Sequence, residues 1–332
     1  MTEPITIAID AMGGDKAPEA IVEGALRAVT EAGVQILLCG QEDALAPLVP
    51  AGTEGIAIQH ASQVIAMDDE PATSVRTMKD ASVTRAAEAV RDGRAHAMVG
   101  AGNTGATMAA ALLRFGRIKG IARPAIAVVV PAVAPSPQLL VDAGATVDCQ
   151  PEWIVQFARM GREYARTRLG VEEPSVALLS NGEEPGKGDD LRKTVYPLLE
   201  EAVPGFIGNC EGRDLMTGHP NVVVTDGFTG NIALKTAEGA TRAIAKLVFE
   251  VLDSTPEARE AAKVVMPLLL ERAHYIDPEH TGGALLLGLD GVCIISHGSS
   301  GATGIVNAVR VAKEAVETQV IARLKETVSG AR

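Results

Sequence analysis

Short apolar runs alternate with longer amphipathic runs along the chain, and this alternation most constrains the fold. The short runs predict strands over residues 6–10, 35–39, 56–59, 97–99, 125–130, 139–141, 176–179, 206–208, 222–225 and 292–296. The longer runs predict helices over residues 18–32, 75–91, 104–115, 152–169, 191–202, 232–252 and 305–328. Strands separated by helices usually pair in parallel, with helices on both faces of the sheet. The sequence therefore predicts an α/β fold, a doubly wound three-layer α/β/α sandwich around a mostly parallel sheet.

The composition fits that fold. Apolar residues make up 47% of the 332 residues but aromatic residues only 3%, so the interior must be built from small aliphatic side chains. Such side chains suit helices packed closely on a parallel sheet. Because no low-complexity linker interrupts the pattern, we expect a single domain over residues 1–332. The apolar runs are too short or too broken to span a bilayer, and no signal leader opens the sequence, which predicts a cytoplasmic protein.

Charge and cysteine usage exclude two further classes of protein. The net charge of −12 disfavours a broad nucleic-acid surface. The four cysteines, Cys39, Cys149, Cys210 and Cys293, are scattered singly without metal-finger spacing. We therefore expect no metal ion, no disulfide framework and no nucleic-acid partner.

One segment departs from the alternation. Residues 253–279 have helical character without a strand of their own, and they extend a helical hairpin or arm over about 240–281. This arm has two interpretations that the sequence leaves open. It packs against the core or a second subunit, or it lies as an amphipathic element on a membrane surface.

Five glycine-rich segments follow predicted strands. We call them joint 1 (residues 10–18, DAMGGDKAP), joint 2 (100–107, GAGNTGAT), joint 3 (180–190, SNGEEPGKGDD), joint 4 (225–235, TDGFTGNIALK) and joint 5 (296–304, SHGSSGATG). Open parallel sheets bind ligands where strands end and helices begin. Glycine admits a ligand close to the backbone, and the amides of helix N-termini attract anions. The sequence therefore predicts one anion site where the five joints converge.

The joints do not match the common nucleotide or hydrolase motifs. Gly100, Gly102 and Gly105 have the spacing of a dinucleotide fingerprint, but no ribose-binding acid follows a second strand. The segment around Lys187 lacks the spacing of a phosphate-binding P-loop, and neither HExxH nor GxSxG occurs. A nicotinamide dehydrogenase and a serine hydrolase are both disfavoured.

Four side chains in the joints are candidates for catalysis. Lys187 lies in a glycine-rich loop, where a cation can close on a phosphate or carbonyl oxygen. Asn231 and Lys235 are four residues apart at a helix start, so both can face one ligand. His297 directly follows a strand. Each also has an ordinary interpretation, as a solvated loop lysine, a helix-terminal turn with an exposed lysine, or a core histidine.

The motifs together resemble a known family. DAMGGD, GAGNTGAT, SNGEEPGKGDD, DGFTGN and SHGSS, in this order over nearly the whole chain, resemble the bacterial phosphate acyltransferases of phospholipid synthesis. The resemblance implies transfer of a long-chain acyl group from acyl-carrier protein to inorganic phosphate, giving acyl phosphate. It implies a Rossmann-like homodimer similar to phosphotransacetylases and isopropylmalate-type dehydrogenases. It also implies loose attachment to the inner membrane face, where a downstream glycerol-3-phosphate acyltransferase works.

That reaction suggests roles for the joint residues. We expect phosphate to rest on the joints through Gly13, Gly14, Asn103, Thr104, Gly105, Ser299 and Ser300. Lys187, Asn231 or Lys235 would stabilise the thioester oxyanion, and His297 would protonate the departing thiolate. Bare carboxylates repel phosphate, so we expect Asp10, Asp15 and Asp226 to orient the turns. No cofactor is expected.

The acyl donor and two rival functions remain open. Acyl-carrier proteins are acidic, so docking needs a local basic patch, either residues 114–123 with Arg114, Arg117, Lys119 and Arg123, or Arg272. The first rival is a coenzyme A-dependent phosphate acyltransferase. The second is a membrane-associated scaffold that has no activity.

Overall fold

The computed structural model describes residues 4–130, 137–273 and 282–329. Its strands are β1 (Thr6–Asp10), β2 (Gln35–Gly40), β3 (Ile56–His60), β4 (Ala97–Gly100), β5 (Ala125–Val130), β6 (Gln138–Val141), β7 (Val176–Leu179), β8 (Phe206–Cys210), β9 (Val222–Val224), β10 (Ala284–Leu287) and β11 (Val292–Ile295). Its α-helices are α1 (Glu19–Glu31), α2 (Glu42–Leu45), α3 (Pro71–Thr77), α4 (Ser82–Arg91), α5 (Thr104–Arg114), α6 (Pro151–Arg168), α7 (Asp190–Ala202), α8 (Gly227–Asp253), α9 (Pro256–Ala273), α10 (Ala302–Glu317) and α11 (Val320–Ser329).

The strands form one sheet in the order β3-β2-β1-β4-β11-β10-β5-β6-β9-β7-β8. Most neighbours are parallel, as predicted, but β10 is antiparallel to both β11 and β5, and β6 is antiparallel to β5. The two ends of the sheet therefore run in opposite directions. The strands β1, β4 and β11 end at one edge, which we call the upper edge. The strands β6, β9 and β7 end at the opposite edge, which we call the lower edge.

Helices cover both faces of this sheet. Successive strand residues alternate between two apolar clusters, so that Ile7 and Ile9 join one cluster while Ala8 joins the other. The first cluster packs under α1, α6 and α10, and the second packs under α4 and α5. The predicted three-layer α/β/α sandwich is confirmed.

The structure corrects the prediction in several elements. Strand β10 was missed, because a four-residue apolar run between glycines carries no strand periodicity of its own. The helix predicted over 75–91 is two helices, α3 and α4, which part at Met78, where ψ is 73°. The helix predicted over 305–328 is also two, α10 and α11, since Gln319 adopts a φ of 54° between them.

The predicted arm corresponds to α8 and α9, which pack against each other as a hairpin, while residues 274–281 lie outside the described residues. Both helices expose large apolar side chains, namely Ile244, Leu247, Val248, Phe249, Val251, Val264, Val265, Leu268, Leu269 and Leu270. No described helix is both long and apolar enough to cross a bilayer. That the chain is one domain, and that the arm contacts a dimer partner or a membrane, stay predictions.

Candidate active site

Joints 1, 2 and 5 meet at the upper edge. The amide of Asp15 donates to the carbonyl oxygen of Gly298 at 2.8 Å, which links joint 1 to joint 5. A Cβ on Gly13 would lie 2.9 Å from the backbone of joint 2. Gly14 has a φ of +112°, and a Cβ there would lie 2.9 Å from the carbonyl oxygen of Ala101. Joint 1 therefore requires both glycines, and backbone packs on backbone where the three joints meet.

Asp10 lies beneath joint 1 and is only 4% exposed. Its carboxylate accepts a hydrogen bond from the amide of Met12 at 3.2 Å. Burial raises the pKa of Asp10, and hydrogen bonds from Ser82 and from the amides of Met12 and Gly13 offset this only in part. Asp10 thus holds the turn from below. The side chain of Asp15 is exposed at the surface.

The side chain of Asn103 in joint 2 is fully occupied. Its Oδ1 accepts from the amide of Ala106 at 3.0 Å and so caps α5. Its Nδ2 donates to three carbonyl oxygens of the loop after β3, those of Ala66, Met67 and Asp69, at 3.3, 3.1 and 3.1 Å. Asn103 itself is left to meet a ligand only through its backbone. Thr104 and Gly105 offer their backbone amides as well, because first-turn amides have no acceptor within the helix.

The serines of joint 5 are bonded to neighbours. Ser300 is buried, and its hydroxyl lies 2.9 Å from the hydroxyl of Ser296. Ser299 is exposed, and its hydroxyl lies 2.7 Å from Nδ1 of His297. Both hydroxyl groups therefore shape joint 5, and a ligand contact would have to share them.

Helix α8 brings Lys235 to the upper edge. The helix begins at the lower edge, after β9, and its Lys235 Nζ lies 3.5 Å from Nε2 of His297. The same Nζ contacts both carboxylate oxygens of Glu238 at 3.1 Å. Two of the predicted catalytic side chains, Lys235 and His297, are thus neighbours beside the three upper joints.

Joint 3 and the start of joint 4 lie at the lower edge, whereas the end of joint 4 reaches joint 5 through Lys235. The predicted convergence is therefore seen for joints 1, 2 and 5 and for the end of joint 4. The two strands before joints 3 and 4 run opposite to those before the other three. Arg192 connects joints 3 and 4 and is only 7% exposed. It donates to the carboxylate of Asp226, to Thr225 Oγ1 at 2.8 Å and to Thr229 Oγ1 at 2.9 Å. Arg192 carries no signal in the sequence, because an arginine in an amphipathic helix normally faces solvent.

Asp226 stabilises the start of α8. Its Oδ1 accepts from the amide of Thr229 at 2.9 Å, as an N-cap does. Burial acts to raise its pKa, but the Thr229 amide and the Arg192 guanidinium outweigh burial and hold that pKa below its ordinary value. Asp226 therefore stays ionised and is directed into the protein.

Lys187 and Asn231 also belong to the lower-edge side. Lys187 is 51% exposed in the loop of joint 3, with its Nζ 4.0 Å from a carboxylate oxygen of Glu184. Asn231 is exposed in the first turns of α8, and a Cβ on Gly144 would lie 3.6 Å from its side chain. Of the four predicted catalytic residues, Lys235 and His297 are in contact, while Lys187 and Asn231 lie on the lower-edge side. Asn231 and Lys235 are one helical turn apart, a rise of about 6 Å.

A buried carboxylate supports this part of α8. Asp142 is fully buried and accepts from four amides, those of Ile126, Gly144, Ala145 and Thr146, at 2.7–3.0 Å. A Cβ on Gly230 would overlap the Asp142 carbonyl oxygen, so α8 touches this turn directly. Sequence reasoning missed Asp142, because it follows an apolar run and falls outside the five joints.

The described residues contain neither a cluster of metal ligands nor a reactive thiol. Within residues 4–130, 137–273 and 282–329, no three His, Cys, Asp or Glu side chains are grouped as metal ligands would be. That the protein needs no metal or cofactor stays a prediction. Burial raises the pKa of Cys39, Cys149, Cys210 and Cys293 to about 12, so these thiols are protonated at neutral pH.

The fold has solved relatives. A phosphotransacetylase from Streptococcus pyogenes has a TM-score of 0.62 and 16% identity, covering 96% of this chain and 95% of that chain. A branched-chain phosphotransacylase from Enterococcus faecalis V583 has a TM-score of 0.59 and 16% identity, covering 94% and 99%. At such identities the likeness shows the fold alone, and it confirms the expected similarity to phosphotransacetylases.

Sequence relatives are much closer. The family described as fatty acid synthesis protein matches residues 5–323. A protein of Desulfitobacterium hafniense (strain Y51) named phosphate acyltransferase is 46% identical over 323 residues, 96% of each chain. One of the same name from Heliobacterium modesticaldum (strain ATCC 51547 / Ice1) is 46% identical over 328 residues, 98% of each chain. The chain therefore belongs to the phosphate acyltransferases of the fatty acid synthesis protein family, which are acyltransferase enzymes.

Proposed function

We propose that this enzyme transfers a long-chain fatty acyl group from acyl-carrier protein to inorganic phosphate and releases acyl phosphate for phospholipid synthesis. The observation that carries the proposal is the meeting of three glycine-rich joints beside Lys235 and His297. Backbone amides and a lysine suit a small, doubly negative ligand. The names of the sequence relatives support phosphate as the acceptor.

The reaction needs positioning more than activation. One phosphate oxygen forms a bond to the thioester carbonyl carbon, the carbon–sulfur bond breaks, and the thiolate leaves with the electron pair. The proton of the hydrogen phosphate passes to that thiolate through water. Phosphate is already a nucleophile near neutral pH. Holding the two reactants together supplies up to about 7–11 kcal/mol of the barrier. We propose direct transfer, and the protonated thiols disfavour an intermediate in which the acyl group is bound to a cysteine.

The two pairs of candidate residues divide between the two substrates. The pair on the upper-edge side, Lys235 and His297, lies beside the bare joints and is assigned to phosphate. Lys187 and Asn231, on the lower-edge side, are assigned to the thioester oxyanion. The rise of about 6 Å from Asn231 to Lys235 leaves space for adjacent reacting groups.

Acyl-carrier protein would dock near the lower edge. Within the proposed basic patch, Arg114 is paired with Glu88 at 3.1 Å, whereas Arg117 and Lys119 are exposed. Arg117 forms a β-bridge with Leu289, beside the end of β10 at the lower edge. Steering by these two charges predicts that binding weakens as salt is added.

The hairpin supports the assembly proposals. Its exposed apolar side chains suit a second copy of this chain or a membrane surface, so we keep a homodimer with peripheral attachment to the inner membrane face. Such attachment would deliver a poorly soluble product to a glycerol-3-phosphate acyltransferase in that membrane.

The decisive experiment mixes purified protein with palmitoyl-acyl-carrier protein and labelled phosphate. We expect acid-labile labelled acyl phosphate together with one equivalent of free thiol. Palmitoyl-coenzyme A at equal concentration tests the second candidate, which the fold shared with phosphotransacetylases favours. Faster transfer from coenzyme A would overturn the choice of donor, and thiol release without phosphate would overturn the reaction.

Variants test the assigned residues. Lys187→Ala and Asn231→Ala should each lower kcat by about a hundredfold, because each removes a donor to the oxyanion. Lys193→Ala, a change of another exposed lysine close in sequence, is the matched control and should keep its turnover. Normal rates in both test variants would reject their role.

A further inference from the structure

The ring of His297 is fixed in one orientation. The backbone amide of Ser299 donates to its Nδ1 at 3.2 Å, and the Ser299 hydroxyl lies 2.7 Å from the same nitrogen. A backbone amide can only donate, so Nδ1 is the acceptor and carries no proton. The proton of the neutral ring is then on Nε2. His297 is therefore a donor at the nitrogen that faces Lys235.

Lys235 is a donor at the same place. Its Nζ lies 3.5 Å from Nε2 of His297, and an ammonium group has no acceptor. The two groups are therefore both donors and cannot satisfy each other. A single oxygen atom of an anion, at an ordinary hydrogen-bond distance from both nitrogens, would satisfy both donors.

Glu238 keeps Lys235 in this position. Both of its carboxylate oxygens lie 3.1 Å from Nζ, and its side chain is only 16% exposed. Glu238 also accepts from Arg242 at 3.3 Å, which fixes the carboxylate from the next turn of α8. The pairing with Glu238 restricts the movement of the flexible Lys235 side chain and keeps its ammonium group beside joint 5.

We infer that Lys235 Nζ and His297 Nε2 jointly bind one oxygen of inorganic phosphate, with Glu238 and Ser299 as the positioning residues that aim them. The inference rests on the proposed function and assigns His297 to phosphate instead of to the departing thiolate. We assign phosphate as the anion because joint 5, which carries His297, is hydrogen-bonded to joint 1, where phosphate is proposed to bind. Glu238 touches neither substrate and acts through Lys235.

The first test changes Glu238 alone. Glu238→Gln should raise KM for phosphate about tenfold while KM for the acyl thioester stays constant, because only the phosphate donor is released. The matched control is Glu250→Gln, which removes an exposed carboxylate paired with Lys246 on the same helix and should change neither constant. A rise in KM for the thioester alone would overturn the inference, as would an unchanged KM for phosphate.

A double-mutant cycle separates positioning from a general structural effect. In a Lys235→Met background, Glu238→Gln should raise KM for phosphate no further. An equal further rise would show that Glu238 acts independently, and would overturn the inference. Ser299→Ala, at an exposed site where folding is not at risk, should raise the same constant by a smaller factor because the amide contact to Nδ1 remains.

A binding measurement distinguishes failure of the inference from failure of the proposed function. Calorimetric titration of inorganic phosphate into the wild-type protein and Glu238→Gln needs no acyl donor. Weaker binding in the variant supports the inference even where acyl transfer is absent, and equal binding overturns it even where transfer is present. Nitrogen NMR of the histidine rings should also place the His297 proton on Nε2.

Discussion

The upper and lower edges of the sheet are built by different means. At the upper edge, backbone packs on backbone, and glycine is required where joints 1 and 2 meet. At the lower edge, buried polar side chains join the elements, with Arg192 between joints 3 and 4 and Asp142 beneath α8. Loss of a buried charge partner costs more than strain in one turn. We therefore expect changes at the lower edge to affect folding most, and changes at the upper edge to affect turnover most.

The largest expected effect is at Arg192. Arg192→Met should lower the free energy of unfolding by about 3–5 kcal/mol, because the buried carboxylate of Asp226 loses its partner. Urea denaturation measures this change. Arg213→Met, which breaks an exposed ion pair with Glu183, is the control and should leave the midpoint in place. Equal denaturation midpoints for the two variants would contradict the claim that buried contacts at the lower edge stabilise the fold.

Gly14 tests the upper edge. Gly14→Ala should cost about 1–3 kcal/mol of stability through its φ of +112° and should reduce turnover more than tenfold, because the backbone of joint 1 must move. Gly33→Ala also has a positive φ, but a Cβ there meets no atom within 4 Å. The control should therefore lose some stability and keep full turnover. A Gly14→Ala enzyme with normal kcat and KM would contradict a backbone-built phosphate site.

Asp226 at the lower edge and Asp10 at the upper edge should respond to acid with opposite signs. The folded pKa of Asp226 lies below its unfolded value, so its contribution to stability is present above the unfolded pKa and is lost as pH falls toward the folded pKa. The folded pKa of Asp10 lies above its unfolded value, so its contribution falls as pH rises through that interval. Each of the two carboxyl groups changes the free energy of unfolding by at most about 1.4 kcal/mol per pH unit.

Urea denaturation between pH 3 and pH 7 separates these terms. Asp226→Asn should flatten the loss of stability in acid, and Asp10→Asn should steepen it. Parallel plots of unfolding free energy against pH for the wild-type protein and both variants would mean that neither carboxyl group changes its pKa on folding.

The smallest effect is expected at Asn103. Asn103→Ala should cost about 1 kcal/mol, because α5 loses its cap, and it should speed hydrogen exchange in residues 66–69, which lose three bonds. Asn103→Asp keeps an oxygen for the cap but lacks the amide donor, so it should speed exchange with less loss of stability. Unchanged exchange in both variants would show that the loop is held by other contacts.

The sequence predicted the fold well, because hydrophobic periodicity depends on local spacing. It failed where the structure depends on distant partners. The reversal of direction between β5 and β6 has no local signal, so the sequence did not show that joint 3 and the start of joint 4 lie at the other edge. The break at Gln319 within the last predicted helix also lacks a glycine or proline to mark it.

Within the candidate site, glycine was the informative residue. Joints 1, 2 and 5 were predicted to converge with the other two joints, and the structure brings these three together. Arg192 and Asp142 were missed, since charged residues are usually exposed and their burial depends on partners far along the chain. Glu238 was missed because a glutamate three residues after a lysine is common on any helix. The roles assigned to Lys187, Asn231, Lys235 and His297 stay predictions.

Helix α8 is continuous from Gly227 to Asp253, about 40 Å at the ordinary rise per residue. Its first turns carry Asn231 and Lys235, and its last turns belong to the apolar hairpin. A partner or membrane that binds the hairpin would therefore also set the orientation of the candidate active site, because one continuous helix connects the two. In this architecture, the way the enzyme is anchored would also determine the direction in which its product leaves.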